Sequence, residues 1–330
     1  MSTTASMQDQ IVPAGERLEC LWNDGCVLTE GVAAGHDGGI YFSDITRTFD
    51  CTDGRGAQAG HIWRYDPASG GCRIFRSPSG MANGLAFDAS GDLVATEGAD
   101  HGGRRVTRTE MATGRAFIVA SGYGGRPFNA PNDVWIDLAG RIWVTDPRYF
   151  GHEPVEQPLM GVYRIDPDLS VTLAVTDAAK PNGIAVSPDQ KTLYVGSNDS
   201  GSFFRHRFPA GTAFYPEGEM RVLAYDLDAD GRPTNRRVFA DYQRRGGPDG
   251  MTVDAEGFLY VTVRIPGEGG IYVYAPDGTL AATIPTPELP TNVEFGREDQ
   301  ADRLYITAGV GLYRIRLKRR GFHLPRKSRV

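Results

Sequence analysis

The chain has 330 residues, 40% of them hydrophobic and 23% charged, an ordinary globular composition with enough apolar side chain for one large core. A formal net charge of −6 provides no basic face for nucleic acid, and no run of 18 apolar residues offers a membrane span. Glycine (42) and proline (21) are frequent enough to punctuate many short strands without reaching low-complexity composition.

In chain order, Met1 to Ile11 has neither the charged start nor the apolar stretch of a secretion signal, so a cytoplasmic protein is expected, with residues 1–13 as a flexible segment. Cys20, Cys26, Cys51 and Cys72 form no Cys-x-x-Cys pair and no histidines cluster with them. They are expected as reduced thiols and not as a zinc site.

From residue 30 onward one pattern recurs six times: a polar residue, an apolar strand, a polar turn, then a second strand ending near Ser or Thr. The copies begin at Glu30-Gly31-Val32, Asn83-Gly84-Leu85, Asn132-Asp133-Val134, Asn182-Gly183-Ile184, Asp249-Gly250-Met251 and Asn292-Val293-Glu294. Intervals of 53, 49, 50, 67 and 43 residues suit a four-stranded blade with its loops. Further strands such as Gly161-Val162-Tyr163-Arg164-Ile165 and Gly270-Ile271-Tyr272-Val273-Tyr274 complete the units. A blade cannot bury both faces alone, so the copies must stack in a ring. The fold expected is an all-β six-bladed β-propeller over residues 14–317, followed by a solvated basic tail, 318–330. A β-sandwich of six hairpins would not need one polar residue at one register.

That register places Glu30, Asn83, Asn132, Asn182, Asp249 and Asn292 at one end of the innermost strands, converging on the central channel. Two acids buried together without a cation are costly, whereas an all-oxygen set suits a hard ion such as Ca²⁺ or Mg²⁺. The asparagines also serve as turn formers, and for Asn83 and Asn292 both readings stand. Asp226-Leu227-Asp228-Ala229-Asp230-Gly231 imitates a calcium loop but has Arg237 at the twelfth position, so it reads as a hairpin turn. Gly54-Arg55-Gly56 lacks the strand and helix of a dinucleotide site, and no Gly-x-Ser-x-Gly elbow occurs. The interval between Asn182 and Asp249 holds an aromatic insertion at 200–218, with Phe203, Phe204, Phe208, Phe214 and Tyr215, expected to pack or bind something.

Thr29-Glu30-Gly31, Asn129-Ala130-Pro131-Asn132-Asp133, Thr145-Asp146-Pro147, Pro181-Asn182-Gly183 and Gly247-Pro248-Asp249-Gly250-Met251 together resemble the senescence marker protein/gluconolactonase/luciferin-regenerating enzyme family, and the bacterial gluconolactonases in particular. The resemblance spans about Leu18 to Leu317. It implies metal ligation by Glu30, Asn182 and Asp249, with Asn132 as a fourth ligand or a substrate contact. The implied ion is Ca²⁺, with Mg²⁺, Mn²⁺ or Zn²⁺ as alternatives, and the implied reaction is hydrolysis of a sugar lactone or, in one branch, an organophosphate. Where animal members of the family carry an arginine, this chain has Ala130, and Arg104, Arg105, Arg148 and Arg264 are candidate substitutes.

Together these readings give a metal-dependent lactonase in which Asp249 is the general base and Asn129, Asn132, Glu97, His101, Asp146 and Tyr149 meet a small-molecule substrate. Its rivals are an organophosphate hydrolase on the same site and a non-catalytic binding module with a structural metal. Neither nucleic acid nor membrane is expected as a partner, and monomer and homo-oligomer both stand.

Overall fold

Each copy of the repeat folds as a four-stranded antiparallel sheet, its short alternating segments separated by turns rich in Gly, Asp and Asn. The computed structural model describes residues 6–202 and 217–327, and within them six such sheets form a ring. Blade one comprises Leu28–Ala34, Ile40–Ile45, His61–Tyr65 and Cys72–Arg76, and blade two Ala82–Phe87, Leu93–Glu97, Arg105–Thr109 and Ala116–Ala120. Blade three comprises Val134–Ile136, Ile142–Asp146, Gly161–Ile165 and Val171–Val175. Blade four comprises Pro181–Val186, Thr192–Ser200, Glu217–Leu227 and Pro233–Gln243, and blade five Pro248–Val253, Leu259–Val263, Gly270–Tyr274 and Leu280–Pro285. The sixth takes Pro290–Phe295, Arg303–Ala308 and Gly311–Arg316, then borrows its outermost strand, Glu19–Trp22, from the start of the chain. Leu28–Ala34 packs against both Ala82–Phe87 and Pro290–Phe295, so the ring of innermost strands is closed. The all-β six-bladed propeller expected from the repeat is the fold observed.

The core lies between blades, for example Tyr41, Leu85, Phe87 and Ala95 between the first and second, and Tyr194, Leu223, Val253 and Leu259 between the fourth and fifth. Side-chain hydroxyls at the ends of second strands stitch neighbours together at the channel. Ser43 Oγ donates to Asn83 O (2.7 Å), and Thr96 Oγ1 donates to Asn132 O. The glycine after the polar residue has a matching reason: a Cβ on Gly31 would collide with Asn83 O, and one on Gly183 with Asp249 O.

Both ends of the chain correct the expectation. Ser6 and Asp9 form a capping box on the helix Met7–Ile11, and Ile11 is 1% exposed in a cluster with Ala281 and Ile284. The segment before residue 13 is therefore docked from Ser6 onward. The basic tail is docked too, because its charges alternate with apolar side chains. Arg319 lies 4.0 Å over the Phe258 ring, Phe322 N donates to Val253 O (3.1 Å), and Leu324 is buried. Phe322, His323 and Leu324 close the end of the channel lined by Ala34, Phe87 and Ile136.

A third correction concerns the thiols. Cys26 and Cys51 are joined as a disulfide with Cα atoms 6.0 Å apart, while Cys20 and Cys72 are free. The short helical turn Arg47–Phe49 folds the chain back, with Cys51 N on Thr46 O, and so brings Cys51 to Cys26, two residues before the first innermost strand. The aromatic insertion falls largely on residues 203–216, outside the described residues.

Candidate functional site

The repeated polar residues sit where the innermost strands lose their regular register. The pairing shifts between Glu30 and Val32, Ala82 and Leu85, Pro181 and Ile184, Pro248 and Met251, and Pro290 and Asn292. A bulge re-aims the side chain it carries. Four residues at or beside such shifts, Glu30, Asn83, Asn182 and Asp249, share one cavity of about 740 Å³ at the end of the channel away from the tail with Asn132, which stands two residues before its strand. Asn292 does not join them. Its Oδ1 accepts from Val293 N (2.8 Å) and its Nδ2 lies 3.4 Å from Asp133 Oδ1, so the amide serves the backbone and faces the plugged end.

Glu30 and Asp249 are 5% and 6% exposed on this floor. Burial, and then the Asp249 charge, push the Glu30 carboxyl well above its usual range. Burial likewise lifts Asp249 to about 6, against the pull of Arg264, whose Nε lies 3.5 Å from Asp249 Oδ2. Below them Asp133, which sequence reasoning left without a role, is pushed up to about 7 by burial although it accepts from Val134 N and Ile184 N.

The orientation of Asn182 is dictated by Tyr149. The Tyr149 hydroxyl donates to Asn198 O (3.0 Å), which leaves its lone pair to accept from Asn182 Nδ2 (3.1 Å). Asn182 Oδ1 is therefore turned away from Tyr149, and it is buried without a hydrogen-bond partner; Asn198 Oδ1 shares that condition. An orphaned buried oxygen beside two desolvated carboxylates is a set of oxygen donors whose burial a hard cation would compensate. Asn198 lies on a second strand, outside the repeated register, so no motif exposed it.

Several expected substrate contacts are elsewhere. Glu97 is fully buried and paired with Arg76 (2.5 Å) of blade one and Arg105 (2.7 Å) of its own blade, an ion network that ties blades one and two together. Asp146 accepts from Asn129 N and Ala130 N, holding the approach to Asn132, and burial raises it to about 7. The Asn129 side chain is spent on Leu159 O and Gln157 N. His101 lies on the exposed rim against His152. Tyr149 and Asn132 do line the cavity, but the Tyr149 hydroxyl is already engaged. Among the candidate arginines, Arg148 is bound to Asn129 O and Glu153 O, Arg104 to Phe128 O and Arg105 to Glu97; Arg264 lines the cavity. The walls above the polar floor are apolar: Val27, Ile45, Phe49, Phe150 and Met220.

Residues 28–310 match the SMP-30/Gluconolactonase/LRE-like region. The chain belongs to this family. Among curated members it is similar to the gluconolactonase of Zymomonas mobilis, 30% identical over 78% of this chain and 73% of that one. It is also similar to a pentonolactonase of Haloferax volcanii, 27% identical over 77% and 76%. A solved gluconolactonase from Xanthomonas campestris superposes with a TM-score of 0.74 at 30% identity, covering 94% of this chain and 91% of the other. The matched span takes in all six repeated polar positions.

Proposed function

We propose that the protein opens the ring of a sugar lactone by hydrolysis, with one divalent metal ion, Ca²⁺ by the hardness of its ligands, held by Glu30, Asn132, Asn182 and Asp249. Its enzyme class is that of its relatives, ester-bond hydrolases of the lactonase type. The observation that carries the metal is Asn182 Oδ1, buried and unpartnered beside two desolvated carboxylates. When bound, such an ion would polarise the substrate carbonyl and lower the pKa of water.

The chain's own groups supply the rest. Asp249 takes a proton from the attacking water while the water oxygen bonds to the lactone carbonyl carbon. The ring C–O bond breaks, and the same proton returns to the leaving ring oxygen, so water plus lactone gives one hydroxy acid. Arg264, anchored on Pro290 O (3.1 Å), keeps one Asp249 oxygen oriented and offers its remaining donors to substrate oxygens. Apolar walls exclude bulk water and strengthen each polar contact on the floor. Those same walls favour a second reading, hydrolysis of a phosphotriester, whose apolar substituents Phe49, Phe150 and Met220 would cover. Asp249→Asn tests the mechanism: at metal concentrations shown to saturate the variant, turnover falls about 10²–10⁴-fold with the fold retained. A wild-type rate would remove Asp249 from the reaction.

A further inference from the structure

Outside the channel, Asp100, His101 and His152 each offer a ligand atom within 4.8 Å of the others. They come from two blades. Asp100 and His101 follow the strand Leu93–Glu97 of blade two, and His152 follows Ile142–Asp146 of blade three. The His101 and His152 rings meet at a tilt of 38° with centroids 4.2 Å apart, and His152 Nδ1 lies 3.6 Å from Asp100 Oδ1.

This meeting is built into the backbone. Asp100 and His101 both have positive φ, +64° and +69°, a conformation that costs a non-glycine residue about 1–2 kcal/mol. The Glu153 carboxylate holds it in place, accepting from Asp100 N (3.0 Å) and His101 N (2.8 Å). Arg148, 4% exposed, ion-pairs with Glu153 (3.6 Å) and ties it to the interior. Gly151 lets the two loops touch, since a Cβ there would lie 2.7 Å from both Ala99 Cβ and Glu153 Oε2. Two successive left-handed residues clamped by a half-buried carboxylate that is itself paired with a buried arginine are a preorganised presentation of side chains.

We propose that Asp100, His101 and His152 form a second metal site, on the rim, that takes a borderline divalent transition metal such as Zn²⁺ or Ni²⁺. Two imidazoles and one carboxylate select such an ion over Ca²⁺, the reverse of the all-oxygen set in the channel. Three protein ligands leave a coordination position open to water or an anion, and one carboxylate leaves the bound ion with net positive charge. Ala99 and Phe150, the neighbours of these ligands, line a small pocket against Asn83 and Asn132, so the ion would bind together two loops that border the channel mouth.

The test uses tag-free full-length protein, stripped with chelator and then saturated with Ca²⁺. Zn²⁺ is titrated in competition with a chromophoric indicator, and Co²⁺ is added separately to read its visible spectrum. The expected result is one Zn²⁺ per chain bound in the presence of Ca²⁺, with Co²⁺ bands indicating imidazole ligation. His101→Ala/His152→Ala abolishes both signals at an unchanged melting temperature of the metal-free protein, and Asp249→Asn leaves both intact. Absence of Zn²⁺ uptake by the unaltered protein, full uptake by the double variant, or loss of uptake in Asp249→Asn would each overturn the proposal.

Discussion

Replacing Tyr149 by Phe removes one oxygen atom and should weaken metal binding without touching any ligand. The ring stays, and with it the packing of Lys180 Nζ 4.9 Å from its centroid. What goes is the hydroxyl that donates to Asn198 O and accepts from Asn182 Nδ2. Each of those buried groups then loses one hydrogen bond, at a cost of roughly 0.5–1.5 kcal/mol, so the variant melts lower. Freed from that contact, the Asn182 amide can rotate and offer nitrogen where oxygen is wanted. Loss of a group that orients a ligand lowers metal affinity by about 10–100-fold. Calorimetric titration of the chelator-stripped variant with Ca²⁺ reads the affinity, and kinetics at saturating Ca²⁺ should recover most of the turnover. Unchanged affinity in Tyr149→Phe, alongside lost affinity in Asn182→Ala, would refute the orienting role.

Three other outcomes follow from the structure. Glu97→Gln should destabilise the protein by a few kcal/mol, because Arg76 and Arg105 are left facing a neutral amide, while KM of the folded fraction is unchanged; a raised KM at wild-type stability would return Glu97 to the substrate. His323 donates from Nε2 to Gly296 O, and burial beside Arg297 lowers its pKa to about 3. The unfolded chain thus binds a proton that the folded one refuses between the ordinary histidine pKa and about 3, so stability falls with acidification through that window, by up to about 1.4 kcal/mol per pH unit. Denaturant melts of His323→Gln should show a shallower loss, and an identical pH profile would remove His323 from it. Alkylation of denatured, unreduced protein from its native cell should label two thiols, Cys20 and Cys72. Four labelled thiols would contradict the Cys26–Cys51 bridge and favour the cytoplasmic setting expected from the sequence.

The ring was legible because a propeller copies one unit and its copies need the same things at the same place. The glycine behind the polar residue in four copies (Gly31, Gly84, Gly183 and Gly250) and the strand-end hydroxyl answer close approaches between neighbouring innermost strands, and so they recur. Side-chain direction was less legible. Glu97, Asn129 and Asp146 stand near strand ends as a substrate contact should, yet their polar atoms are consumed within or between blades, and spacing does not reveal that. Asn292 shares the register of Asn182 but spends its amide on Val293 N, a difference set by local backbone. The tail's role was foreshadowed by Phe322 and Leu324 among its charges, a signal masked by the net basic composition. Asn198 and the Asp100–His101–His152 meeting depend on chain reversals with no local signature.

Chelator-stripped protein offered a panel of aldonolactones, with Ca²⁺, Mg²⁺, Mn²⁺ or Zn²⁺ restored one at a time, tests the central claim most directly. The release of acid follows turnover. The account predicts no turnover without metal and hydrolysis restored by Ca²⁺, with Glu30→Gln and Asp249→Asn both inactive. Full activity in the stripped protein, or none on any lactone with metal measurably bound in the channel, would contradict it.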